Sequence, residues 1–77
     1  MRITIKLRGP LSKYGPGEEK FEYNINSSSC TIEELLNMLN VPTSPVLFVT
    51  VDGNKVKMDT ELRGGEIVTV YPKVAGG

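Results

Sequence analysis

Thr31-Ile32-Glu33-Glu34-Leu35-Leu36-Asn37-Met38-Leu39-Asn40 is the stretch on which the fold turns. Thr31 has N-cap chemistry, and Glu34 stands three residues on. At that spacing hydroxyl and carboxylate satisfy each other's orphan backbone donors in a capping box. Ile32, Leu35, Leu36 and Leu39 recur at helical spacing and make one apolar face. Asn40 is a C-terminal stop, and Pro42 and Pro45 prevent continuation. The expected helix has about three turns, which is marginal alone, so it must be held by packing against something else.

The flanks supply that partner. Upstream, Arg2-Ile3-Thr4-Ile5-Lys6-Leu7-Arg8 alternates strictly, as a half-buried strand does. Gly9-Pro10 stops it, and Gly15-Pro16-Gly17 marks a turn. Phe21, Tyr23 and Ile25 then alternate with Lys20, Glu22, Asn24 and Asn26, completing a hairpin with a long loop. Ser27-Ser28-Ser29 reads as polar loop. Downstream, Leu47-Phe48-Val49-Thr50-Val51 reads as a strand, Asp52-Gly53 as a turn, and Lys55-Val56-Lys57-Met58 as a short return. Glu61 to Glu66 reads as a second turn region. Ile67-Val68-Thr69-Val70-Tyr71 is the last strand, ended by Pro72.

One amphipathic helix among these strands predicts a two-layer α+β domain, with a mixed sheet of four to five strands on one main helix. The division is a domain over residues 1–72 and a flexible tail over 73–77. Val49, Val51, Val68 and Val70 should join Ile3, Ile5 and the helix leucines in the core. Phe48, Thr50, Thr69 and Tyr71 should then lie on the opposite, open face.

Composition narrows the chemistry. The chain has 77 residues, and a domain that small has little room to enclose a large substrate. Nine basic and nine acidic residues give zero net charge, without the concentrated basic patch of a nucleic-acid binder. Lys13, Lys20, Lys55, Lys57 and Lys73 are dispersed and read as solvated surface. There is no histidine and one cysteine, Cys30, which leaves neither a cysteine–histidine pair nor an ordinary zinc site. No metal and no bound cofactor is expected. Cys30 precedes the N-cap, where an apolar residue staples against Leu35. With no signal segment, disulfide or membrane span in the sequence, the cytoplasm is the expected location.

The remaining candidate is Pro72-Lys73-Val74-Ala75-Gly76-Gly77. Five residues beyond Pro72 reach roughly 16–18 Å when extended. The glycine pair accepts almost any backbone angles and can thread a narrow tunnel. A terminal carboxyl, with a reference pKa of about 3.3–3.7, is anionic at neutral pH.

This tail, behind Ile3–Leu7, Thr31–Leu36, Val51-Asp52-Gly53 and Leu62–Ile67, makes the chain resemble the β-grasp, or ubiquitin-like, proteins. More closely it resembles the MoaD/ThiS sulfur carriers. Tyr71-Pro72 and Val74-Ala75 favour the MoaD branch. The resemblance implies a carrier that is not itself an enzyme. A ubiquitin-activating-like adenylyltransferase would use ATP to adenylate Gly77, and sulfur transfer would leave a thiocarboxylate there. Gly76, Ala75 and Val74 would thread the partner's tunnel, while Phe48, Tyr71 and Pro72 would dock. The implied acceptor is the large subunit of molybdopterin synthase. Thiamine synthesis, tRNA thiolation, protein modification through Gly77 and a non-covalent ubiquitin-like module are the alternatives. No nucleic acid or membrane partner is expected.

Overall fold

The computed structural model describes residues 1–73. The strands are β1 (Arg2–Leu7), β2 (Lys20–Asn24), β3 (Cys30–Thr31), β4 (Val46–Val51), β5 (Asn54–Val56), β6 (Glu61–Leu62) and β7 (Ile67–Pro72), with one α-helix, α1 (Ile32–Met38). Five strands form a sheet in the order β2-β1-β7-β4-β5, and β3 pairs with β6 separately. β1 and β7 are parallel, while the other pairs are antiparallel. The sheet is mixed and carries one helix, as the sequence predicts.

Helix α1 forms because both its ends are closed. The Glu34 N–H donates to Thr31 Oγ1 at 3.1 Å, and the Thr31 N–H donates to Glu34 Oε1 at 2.8 Å. The N–H groups of Ile32 and Glu33 donate to the carbonyls of Thr60 and Met58, each at 3.0 Å. Donors that a helix start normally leaves orphaned are therefore taken. At the other end Asn40 takes a φ of +58°. The Asn40 N–H then reaches the Asn37 carbonyl at 3.1 Å, and the Val41 N–H reaches Leu36 at 2.9 Å. That pair of bonds is a Schellman closure. It cuts the helix to seven residues, about two turns rather than three.

Ile32, Leu35, Leu36 and Leu39 share one core with Ile3, Ile5, Leu7, Val49, Val68 and Val70. Val51 is half-buried against it. The structure adds details that local pattern did not show. Gly9–Lys13 is a 3-10 turn whose Leu11 is buried. Glu61–Leu62, expected within a turn, is a strand against Cys30–Thr31, with Leu62 fully buried. Pro72 extends β7 instead of ending it, facing Val46. Its missing N–H is harmless, because β1 pairs with β7 only as far as Val70.

Candidate functional site: the open sheet face and the tail root

The sheet has α1 on one side only. Alternation away from the buried Ile3, Ile5, Val68 and Val70 puts Thr4, Lys6, Ile67, Thr69 and Tyr71 on the other side. Cross-strand register adds Phe48 opposite Tyr71, Thr50 opposite Thr69, and Lys55 opposite Thr50. The expected phase of β4 and β7 is therefore correct.

Phe48 and Tyr71 are half-buried and lie against each other, ring centroids 4.8 Å apart and tilted by 36°. Lys55 Nζ stands 5.1 Å from the Phe48 centroid, within cation–π range. A register shift between Val46 and Phe48 leaves Leu47 as an extra residue, and Leu47 is 57% exposed. Ile67, on the open face, is 41% exposed. Sequence reasoning missed both. Alternation predicts Ile67 outward once Val68 is placed inward, but the bulge at Leu47 has no local signature.

One expectation needs refining and another correcting. Thr50 and Thr69 lie on this face but are only 8% exposed. Each has a lysine as in-register neighbour, Lys55 and Lys6 respectively, and such stems cover small neighbours while keeping the ammonium in water. Pro72, named for docking, is buried on the core side, because it keeps the alternation of Val68 and Val70. It anchors the tail root and presents no free surface. The root is held further by the Lys73 N–H, which donates to the Pro45 carbonyl at 2.8 Å. Val74, Ala75, Gly76 and Gly77 lie outside the described residues.

The far end of β7 is tied by two acids. Asp52 exchanges with Ile67, its N–H donating to the Ile67 carbonyl at 2.8 Å and its Oδ1 accepting from the Ile67 N–H at 2.9 Å. Asp52 and Gly53 have φ of +51° and +87°, the successive positive values of a tight hairpin turn. The Glu66 carboxylate accepts from the N–H groups of Arg63 at 2.8 Å and Gly64 at 2.7 Å. Partial burial works against its charge. The backbone donors and the nearby Arg63 guanidinium outweigh that and hold its pKa below the usual carboxylate value.

Cys30 is 6% exposed and paired in β3 with Leu62. Burial, with smaller contributions from Glu34 and Glu66, pushes its thiol pKa up. A reactive thiol needs the opposite shift, so Cys30 serves here as a small apolar side chain of the core. Among the described residues no cluster of three or more His, Cys, Asp or Glu is placed to hold a metal ion. No helix among them is long and apolar enough to cross a membrane.

The sequence matches the family described as Mut7-C ubiquitin over residues 2–76. No curated protein matches it. Solved structures share its fold. The H. volcanii small archaeal modifier protein 1 superposes with a TM-score of 0.72 at 12% identity, over 95% of this chain and 98% of that one. One chain of the complex of subunits 1 and 2 of molybdopterin-converting factor from Helicobacter pylori gives 0.63 at 22% identity, over 100% of this chain and 100% of that one. The thiamine biosynthesis protein ThiS of Geobacter metallireducens gives 0.67 at 22%, also over 100% of both. The expected β-grasp fold and the resemblance to MoaD/ThiS proteins are borne out.

Proposed function

Because the chain belongs to the Mut7-C ubiquitin family, we propose that it is a ubiquitin-like sulfur carrier whose reacting group is the Gly77 carboxylate. One observation carries this reading. β7, which leads into the tail, lies inside the sheet between β1 and β4 and ends beside the Phe48–Tyr71 pair. A partner that covers this pair has the start of the tail in its grasp.

The chemistry needs nothing from the domain beyond docking and reach. A carboxylate is a poor electrophile until it carries a good leaving group. An adenylyltransferase would let the Gly77 carboxylate attack the α-phosphate of ATP, releasing pyrophosphate and leaving an acyl-adenylate. A persulfide sulfur would displace AMP to give an acyl disulfide. A second thiol would then break the S–S bond, becoming oxidised to a disulfide and leaving the Gly77 thiocarboxylate. Gly76, Ala75 and Val74 would thread the partner's tunnel, where held geometry and exclusion of water favour transfer over hydrolysis.

The preferred acceptor is a pterin precursor in a large synthase subunit, with cytoplasmic ATP and sulfur donors. The fold shared with subunit 1 of molybdopterin-converting factor supports it, as does the Val74-Ala75-Gly76-Gly77 tail. The likeness to a small archaeal modifier favours a second reading, conjugation of Gly77 to target lysines. Intact-mass measurement separates them. Incubation with ATP, the adenylyltransferase of the same organism and a sulfur donor should exchange one oxygen for sulfur in the C-terminal peptide. An isopeptide bond to other proteins instead would establish the modifier. Unchanged activity after deletion of Gly77 would sink both.

A further inference from the structure

The lysines that look dispersed in the sequence are gathered by the fold. Strand register puts Arg2, Lys6, Lys20 and Lys55 on the open face, and Glu22 is the acid that faces out with them. Arg2 holds that acid, its Nη1 lying 3.2 Å from Glu22 Oε1. None of the ion pairs among the described residues includes Lys6, Lys20 or Lys55. Of the other acids, Glu18 and Glu19 precede Lys20 in the loop, and Glu61 pairs with Arg63. Glu33 and Glu34 open the helix, and Asp52 and Glu66 are engaged in turns. A chain of zero net charge thus carries a positive sheet face beside an apolar centre, the Phe48–Tyr71 pair with its neighbour Leu47, while exposed Ile67 lies apart across the row of Lys20, Lys6, Thr69, Thr50 and Lys55.

We propose that this face docks a partner protein whose own surface is acidic beside an apolar centre, with Lys6, Lys20 and Lys55 steering the encounter. Charge complementarity selects that occupant. Rim charges of this kind set association rate and salt dependence, while the apolar centre supplies affinity. A polyanionic nucleic acid would also favour the charge. The rings argue against it, since Phe48 and Tyr71 pack on each other and Lys55 stands over Phe48, leaving no clear stacking platform for bases. Exposed aliphatic Leu47 and Ile67 suit a protein surface better. The inference rests on the carrier reading only for what the partner does, namely handle the tail.

The test is an amide-shift titration of the labelled full chain with three probes. They are a short synthetic peptide with glutamates around leucine and phenylalanine, the same peptide with lysine for glutamate, and single-stranded oligothymidylate. The acidic peptide should move the amides of Leu47, Phe48 and Tyr71, and bind about tenfold more weakly when salt rises from about 50 mM to about 500 mM. The combined K6E/K20E/K55E variant should weaken it by about tenfold or more. The milder K6Q/K20Q/K55Q should fall between, and keeps the test open if the reversal variant misfolds. Tighter binding of oligothymidylate at the same amides would overturn the proposal, as would acidic-peptide binding that ignores salt and the lysines, or no binding at all. Deleting Gly77 should leave this titration unchanged while abolishing the mass gain, so failure of the carrier reading and failure of this one are distinguishable.

Discussion

Ile5 and Lys6 are neighbours in β1 and live in different solvents. Ile5 is fully buried under the helix, while Lys6 stands half-exposed on the open face. The same contrast runs through β7, where Val70 is fully buried and Tyr71 is half-buried on the other side. The period-two geometry of a strand lets one backbone carry stability on one face and recognition on the other. The core face tolerates little change because its packing is shared with the helix. The open face can change charge and shape at small cost to folding. Partner choice can therefore shift while the fold stays.

The sharpest way to break this contrast is to substitute the neighbours. Ile5→Ala should cost about 2–5 kcal/mol in urea unfolding, from lost burial and the cavity left behind. Lys6→Ala should stay within about 0.5 kcal/mol, as surface substitutions do. Similar losses at both positions would mean that the open face is part of the folding core. A smaller effect is expected at Thr31, since the helix alone makes one face a core. Thr31→Ala removes the cap hydroxyl and should cost about 1 kcal/mol. Thr31→Ser should recover most of it, because the oxygen returns.

Much of this was legible in the sequence, for local reasons. The capping box needs only residues 31 and 34, and both its bonds are present. The strand faces follow from alternation, which holds at Ile3, Ile5, Leu7 and again at Val68 and Val70. What escaped depends on distant partners. Glu61–Leu62 is too short to show a period, and becomes a strand only because Cys30–Thr31 lies beside it. Leu11 is buried by a 3-10 turn inside a loop that reads as polar punctuation. The bulge at Leu47 lies where β4 passes from facing Tyr71 to facing Pro72, a match between two distant strands. The gathering of Lys6, Lys20 and Lys55 needs the strand order, which no single segment encodes. Of the candidate site, Phe48 and Tyr71 are readable as open-face residues, whereas Pro72 reads as a strand end although β7 runs through it and buries it.

The smallest expected effect concerns what keeps the two faces from exchanging. A one-residue slip of β7 would send Val68 and Val70 outward and Thr69 and Tyr71 inward. Asp52 and Glu66 hold the start of that strand, Glu66 through the N–H groups of Arg63 and Gly64. Its folded-state pKa lies below the ordinary value, which for a glutamate in an unfolded chain is about 4.3. A lowered folded pKa means that the carboxylate contributes stability fully above the unfolded value. That contribution is lost as pH falls through the folded one. Glu66→Gln keeps one acceptor oxygen and removes the titration. Wild type should therefore lose stability relative to the variant as pH drops below about 4.3, and the two unfolding midpoints should converge. Midpoints that stay parallel through this range would show that hydrogen bonding alone, without the charge, closes the turn and holds β7 in register.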